Sequence, residues 1–398
     1  MSDHRKPLPP ILAAALEIKD EIVSLRRTIH QNPELGKQEF QTSKLVEAYL
    51  QSLNLETRHV AGTGIVGLLR GARPGKTVAF RADMDALPIQ EMNPVSYRSK
   101  NPGIMHACGH DAHTAALLGA AKLLAARREA LSGNVKFFFQ PNEEQEGGAK
   151  DMIQAGCMED PKVDAVFGCH VAPDLPAGKI AVSYGICYAA SNPFLVEIHG
   201  KASHGAEPHL GIDAIVAGAH IVAALQTLVS RTLDPVEPAV VTVGSFHGGT
   251  CMNVIADAVR LEGMIRTLEP ATRERLKEKF RETVQGIGSA MGAKIDIRID
   301  EGFPAMITDP AMTDSLKAVA GTILGQENVL VSKHPTMGTE DFAYFLQKAP
   351  GTFFQLGAGD PLNSFERPLH NGYFDVDEHA LPLAAAIHAQ TALDFLSS

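Results

Sequence analysis

Apolar and polar positions alternate along the first part of the chain in two rhythms. Leu16 to Arg27 and Thr42 to Leu53 repeat their apolar residues every three to four positions, which predicts two amphipathic helices. Lys76 to Asp83 (KTVAFRAD), Asn134 to Gln140 (NVKFFFQ) and Asp164 to Cys169 (DAVFGC) are short apolar runs and read as buried strands, the second stopped by Pro141. Between the first two lies Ala112 to Ala130, an alanine- and leucine-rich helix. Asp111 stands at its entry and Arg127 and Arg128 near its exit, a charge order that suits the helix dipole. Gly148 to Ala155 predicts a further helix. Strands alternating with helices in this way imply parallel pairing, with helices on the sheet faces.

Near residue 190 the rhythm changes. Pro193 to Gly200 reads as a strand, Ile212 to Arg231 as a helix, Ala239 to Ser245 and Asp257 to Thr267 as strands, Ala271 to Met291 as a helix and Lys294 to Ile299 as a strand. That is β-α-β-β-α-β, the ferredoxin-like order. From about Phe303 the earlier style returns, with a helix over Asp309 to Leu324, a strand over Thr352 to Leu356 and a last helix over Leu381 to Leu396. The expected fold is α/β: a mixed, largely parallel sheet with helices on both faces, interrupted by a smaller ferredoxin-like α/β sandwich. Residues 1–190 and 302–398 would form the main domain and 191–301 the insertion.

Composition narrows the function classes. With 398 residues, 45% of them hydrophobic and 21% charged, the chain has the apolar mass for a large core and is not disordered. Its 36 Lys and Arg against 46 Asp and Glu leave a net charge of −10, with no basic surplus to neutralise phosphates, so no nucleic-acid partner is expected. No uninterrupted apolar run reaches the roughly 18 residues of a membrane helix, and Met1 to Pro10 is polar and proline-rich without a signal core. Five cysteines with no framework spacing suggest free or metal-bound thiols in a reducing compartment, hence a cytoplasmic protein without a membrane partner.

Open α/β sheets place their sites beyond the carboxyl ends of the strands. Here those ends deliver Asp83 and Asp85 (RADMDALP), the paired carboxylates Glu143 and Glu144 (FFFQPNEE) and His170 (FGCHVAP), while a helix entry delivers His106, Cys108, His110 and His113 (HACGHDAH). Thiolate, imidazole and carboxylate together suit zinc and tolerate manganese, cobalt or nickel. Cys108 and His110 are separated by one glycine, a segment short enough to aim both at one point. Alone, that spacing is common by chance and Cys108 would be a small buried thiol; the convergence is what carries the metal reading. Adjacent Glu143 and Glu144 point in different directions on leaving a strand, so one can bind metal while the other handles a proton. His106 and His113 are less persuasive candidates; His113 falls on the first helical turn, where helix packing or a supporting role is as good a reading as ligation.

The motifs RADMDALP, MHACGHDAHTA, FFFQPNEE, GCHVAP, KASHGAEPHLGID and a late PLH, in that order, resemble the dinuclear-metal amidohydrolases. The resemblance is closest to the hippurate hydrolase, N-acyl-amino-acid amidohydrolase and auxin-conjugate hydrolase branch, and runs from about His30 to the C-terminus. It implies two divalent metal ions per chain, zinc or manganese before cobalt or nickel, held by Cys108, His110, Glu144, His170 and His370. Glu143 would be the general base and Asp85 the carboxylate that orients a ligand. His204, from the inserted domain, is similar to a histidine that in dimeric relatives reaches the partner's active site and stabilises the oxyanion. Asn253 and Arg266 resemble a pair that holds the substrate's carboxylate. The insertion would serve as lid and dimerisation domain of a homodimer or homotetramer. The implied reaction is metal-dependent hydrolysis of N-acyl-L-amino acids, hippurate-type or N-acetylated. Two departures are PNEEQEGGA, where relatives often carry Ala before the glutamates, and Asn192, where an acid is common.

Rival readings are a metallo-dipeptidase or aminopeptidase, a deacylase for biosynthetic N-acyl intermediates, a hydrolase with Cys108 as nucleophile, and a catalytically silent metal-binding module. The silent module has no use for Glu143, and the thiol hydrolase has none for Glu144, His170 and His370.

Overall fold

The computed structural model describes residues 8–359 and 367–397. The chain begins with α1 (Pro10–Glu17), α2 (Lys19–Gln31), α3 (Phe40–Ser52), β1 (Glu56–Val60), β2 (Gly64–Arg70), β3 (Arg73–Asp83), α4 (His110–Ala125), β4 (Ser132–Gln140), α5 (Ala149–Gln154), β5 (Ala165–Pro176) and β6 (Ile180–Val182). It continues through β7 (Gly185–Tyr188), β8 (Ala190–His199), β9 (Ser203–His204), α6 (Ala214–Thr227), β10 (Ala239–Gly248), β11 (Val254–Ile255), β12 (Ala258–Thr267), α7 (Pro270–Ala290) and β13 (Lys294–Ile299). It closes with β14 (Met306–Thr308), α8 (Pro310–Leu324), β15 (Val329–Val331), α9 (Ala343–Leu346), β16 (Gly351–Gly359) and α10 (Ala380–Ser397). These elements form two compact units. One gathers the chain up to Gly185, Ile307–His334 and the chain from Asp341; the other gathers Ile186–Met306 and Pro335–Glu340.

In the first unit the described strands form an eight-stranded sheet in the order β1-β2-β4-β3-β5-β16-β6-β15. Its centre, β4, β3, β5 and β16, is parallel, whereas β1 and β2 pair antiparallel on one side and β6 pairs antiparallel with β16 on the other, β15 running parallel to β6. Alternation along β4 shows why both faces are covered. Phe137 and Phe139 join the large core that includes residues of α4 and α10, while Phe138 points the other way and stacks on Phe345 of α9, ring centroids 5.4 Å apart. Helix α4 lies against α2 and α10 as well as β3, so its Ala- and Leu-rich surface is buried almost all round.

The second unit carries an antiparallel sheet in the order β10-β12-β8-β13, with α6 and α7 supplying the apolar layer against it. This is the ferredoxin-like arrangement the sequence predicts. Asp213 caps α6 by accepting the amides of Ile215 and Val216. The helical stretch Ala214–Thr232 is long and apolar enough to cross a membrane by composition alone. Here it seats Ala217, Ile221, Leu225 and Leu228 in the unit's core and leaves His220, Gln226 and Ser230 on its outer side.

Three details differ from the expectation. The first helix breaks at Ile18 into α1 and α2. The hairpin β1–β2 is additional; β1 is a mostly exposed edge strand (ETRHV) and so carries no apolar run. The third parallel strand runs on to Pro176 instead of ending at Cys169. Strand β16 keeps pairing with it, His170 opposite Gln355 and Val171 opposite Leu356, although the pairing of β5 with β3 stops at Arg81 opposite Gly168.

One buried ion cluster ties distant parts of this unit together. The guanidinium of Arg26 on α2 is fully buried and meets Asp111 at 2.7 Å, Asp375 at 2.8 Å and Glu378 at 3.2 Å. Burial raises the carboxyls of Asp111 and Asp375, but Arg26 outweighs it and holds both below the ordinary carboxylate range. Breaking such a pair from one side leaves uncompensated buried charge, so Arg26→Met is expected to cost about 3–5 kcal/mol in urea unfolding of the metal-free protein at neutral pH. Depressed folded-state values contribute stability above the unfolded value of about 3.9 and lose it as pH falls through the folded values. The gap between wild type and variant should therefore narrow progressively below about pH 4; a constant gap would mean that these carboxylates are not the partners that matter.

Candidate metal centre

The parallel strands bring the candidate ligands to one end of the sheet. Strand β3 ends at Asp83, two residues before Asp85; β4 ends at Gln140 and hands on to Glu143 and Glu144; β5 carries His170. Cys108 and His110 flank the N-terminus of α4, and His370 comes from the loop before α10, its amide donating to Ala107 O at 2.8 Å. Cys108 Sγ lies 3.3 Å from His170 Nε2, and Glu144 Oε1 lies 3.2 Å from His370 Nε2 and 3.9 Å from His110 Nε2. Two donor groups emerge, Cys108 with His110 and His170, and Cys108 with Glu144 and His370, each with its ligand atoms within 4.8 Å of one another. Cys108 belongs to both. Glu143, mostly buried, forms a further such group with His110 and Glu144.

Asp85 holds two of these residues in place. Its Oδ1 is 3.2 Å from His110 Nδ1, and its Oδ2 accepts the amide of Glu144 at 3.0 Å. With Nδ1 turned to a carboxylate, His110 presents Nε2 to the other donors, the arrangement common to metal-binding imidazoles. His110 Nε2 and Glu144 Oε1 are buried without an aligned hydrogen-bond partner, which is costly unless a cation sits between them. The donor set and these orphaned atoms fit divalent metal ions.

Residues 79–394 match the model of peptidase family M20/M25/M40. The chain belongs to this family. Over 384 residues it is 41% identical to thermostable carboxypeptidase 2 of Saccharolobus solfataricus, covering 95% of this chain and 96% of that one. Over 390 residues it is 42% identical to IAA-amino acid hydrolase ILR1-like 4 of Arabidopsis thaliana, covering 97% and 88% of the two chains. A solved structure of the YxeP protein of Bacillus subtilis, described as a dinuclear metal binding peptidase from the M20 family, superposes with a TM-score of 0.84 at 34% identity and covers 96% of this chain and 99% of that one. The protein is a metal-dependent amidohydrolase of the M20 type whose site takes two divalent ions.

Electrostatics in this M20 chain favour a metal over a free thiol. Burial pushes the Cys108 thiol well above its ordinary value despite His110 beside it, so without a cation it stays protonated and is a poor nucleophile. Opposite a divalent ion the balance reverses, because a coordinating thiol is deprotonated. Burial also raises Glu144, but the facing imidazoles of His370 and His110 outweigh it and hold the carboxylate at about 2, ready to ligate at neutral pH. His106 is buried with neither ring nitrogen partnered; burial keeps it neutral, down to about 3, and it lies against His30 rather than in either donor group.

The remaining candidates belong to the second unit. His204 on β9 pairs with Val254 on β11, and Gly205 donates its amide to Asn253 O at 2.8 Å, so His204 and Asn253 are neighbours and both are exposed. Arg266 lies on β12 opposite Val240 and Ser191 and donates through Nη1 to Met337 O at 2.7 Å. Asn192 is absorbed in internal bonds, accepting from Arg273 Nε at 2.7 Å and donating to Asp300 O at 2.8 Å. Sequence reasoning gave Asn142 no role. It sits in the left-handed region at φ 57° with its amide donated to the buried Glu39, a conformation Asn tolerates better than Ala and one that sets the exit direction of Glu143.

Gly109, between two candidate ligands, adopts φ 88°, and a Cβ there would meet Val171 Cγ2 at 2.3 Å. Gly109→Ala should therefore displace the Cys108–His110 segment. Equilibrium dialysis with Mn²⁺ is expected to show metal affinity reduced by at least tenfold, the lower end of what loss of ligand orientation costs; unchanged affinity would remove the glycine from the site's design.

Proposed function

We propose that this M20 hydrolase cleaves the amide bond of N-acyl-L-amino acids, releasing a carboxylic acid and a free amino acid, with Cys108, His110, Glu144, His170 and His370 as the metal ligands. The observation that carries the reading is a pair of donor groups sharing the Cys108 sulfur, with Glu143 alongside and outside both. Cys108 would thus be available to either ion. The ions, when bound, supply Lewis-acid polarisation of the amide carbonyl and a water acidic enough to ionise near neutral pH. Glu143 accepts a proton from the attacking water and delivers one to the leaving amine. Asp85 keeps His110 and Glu144 oriented throughout. His204 is proposed as oxyanion donor, and Asn253 and Arg266 as the groups that receive the amino acid's carboxylate, on the resemblance of their motifs. Zinc or manganese is the proposed native metal, the mixed thiolate, imidazole and carboxylate set being compatible with both.

A carboxypeptidase reading has its own support in the relative from Saccharolobus solfataricus. The two substrate classes share a free carboxylate next to the scissile amide and differ only in what lies on the acyl side. Homodimerisation through the second unit is supported by β10, a ten-residue edge strand, and by the exposed Ile215 and Val216 of α6. Cytoplasmic location is supported by five free cysteines, four of them buried.

Amino-acid release from benzoylglycine, several acetyl-amino acids, a blocked dipeptide and an unblocked dipeptide tests the substrate class. Metal-stripped enzyme should be inactive on all of them and should recover on the acyl-amino acids after Mn²⁺ or Zn²⁺ is added. Recovery on the blocked dipeptide alone would favour the carboxypeptidase, and full activity after complete metal removal would overturn the mechanism. Glu143→Gln should keep both metals yet lose roughly 10²–10⁴-fold in turnover, the usual share of a general base. Near-normal rates in that variant would move the proton chemistry elsewhere.

A further inference from the structure

His113 lies one turn into α4, three residues beyond His110, and is fully buried. With Asp83 and His110 it makes a further set of potential ligand atoms within 4.8 Å of one another. Its two nitrogens, however, are already committed. Nδ1 is 2.6 Å from Asp83 Oδ1, and Nε2 is 2.8 Å from the amide nitrogen of Val171. A backbone amide can only donate, so Nε2 is the acceptor and the proton is on Nδ1, given to the Asp83 carboxylate. Asp83 is fixed in turn by Arg81, whose Nη1 reaches Asp83 Oδ2 at 2.7 Å while its Nη2 reaches Asp341 Oδ1 at 2.9 Å. All four side chains are buried.

The residue whose N–H His113 accepts is also the one whose carbonyl orients His170. The ring of His170 turns Nδ1 to Val171 O at 2.7 Å and thereby directs Nε2 towards Cys108 Sγ. Within a strand, the N–H and C=O of one residue point to the same side. At Val171 that side would be served by β3, but the β3–β5 ladder ends at Arg81 opposite Gly168. The imidazole of His113 takes the place of the missing strand: it accepts the stranded N–H and so holds the carbonyl on which the His170 ring rests.

We propose that His113 is a positioning residue, not a ligand, which acts through Asp83 on one side and the Val171 backbone on the other to set the ring orientation of His170. The inference rests on His170 being a metal ligand. Two substitutions separate positioning from packing. His113→Phe keeps a ring of similar bulk but offers no acceptor; His113→Gln keeps an acceptor near the Nε2 position but loses the ring. Apoprotein is titrated with Co²⁺, following bound metal by dialysis and the visible d–d bands of the cobalt protein, with circular dichroism as the check on folding.

Wild type should take two equivalents. The Phe variant should bind the second roughly 10–100-fold more weakly, with altered bands, as loss of a ligand's supporting bond generally does. The Gln variant should lie closer to wild type on both readouts. A packing role predicts the reverse order, Phe better than Gln, and would overturn the inference, as would two wild-type cobalt sites in the Phe variant. Should the Phe variant not fold, ¹⁵N-histidine NMR of wild type decides: a protonated Nδ1 and unprotonated Nε2 at His113, unshifted by metal, is expected, and the opposite tautomer or a metal-bound nitrogen rejects it. A wild-type protein that binds fewer than two ions would instead bring down the dinuclear reading itself.

Discussion

Asp85 is the constraint from which the centre is built. One of its oxygens faces the ring of His110 and the other receives the backbone of Glu144, so a single carboxylate fixes a candidate ligand from a helix entry against a candidate ligand from a strand exit. The strand before Asp85 runs parallel to the strand before Glu144, Asp83 opposite Gln140, which brings these two chain exits side by side. Had the pairing been antiparallel, the two exits would lie at opposite ends of the sheet. Parallel topology is thus a chemical requirement here as well as an architectural one.

Assembling acceptors in one place is costly, and the surroundings offset that cost with cations of the protein's own. Arg26 stands behind Asp111 at the start of α4 and behind Asp375 and Glu378 in the segment that follows His370. Arg81 stands behind Asp83 and Asp341. Each buried guanidinium joins carboxylates far apart in sequence; of these, Asp111 follows His110 in the chain and Asp83 approaches the His110 ring at 3.6 Å. Charge pairing therefore fixes the start of α4 and the end of β3, the two places from which His110 and Asp85 emerge.

How much of this is legible in the sequence depends on whether the signal is local. The clustering of Cys108, His110, Glu144 and His170 is, because thiol, imidazole and carboxylate converge on successive strand ends and one helix entry, and strand ends tell where they go. The β-α-β-β-α-β order of the insertion is equally legible, each of its main elements being long and periodic. The strands β6 and β15 are three residues each and leave too short a pattern to read. His106 and His113 show the limit most clearly. Each adjoins an alanine and each is buried, yet one has no partnered nitrogen and the other has two. The difference lies in a strand amide 58 residues further on, which no local pattern announces. Arg26 and Asp111, 85 residues apart, are hidden for the same reason.

The shared sulfur has a consequence for how such a centre fails. Where two ions have separate ligand sets, losing one leaves the other at reduced strength; where one atom serves both, any chemistry at that atom is felt twice. Oxidation of Cys108 to a sulfenic or sulfinic acid would exchange a compact anionic donor for a larger, weaker one in both donor groups at once. The protection of this sulfur is burial, since only 7% of Cys108 is exposed, so the same packing that makes the thiol hard to ionise without metal also keeps peroxide away from it.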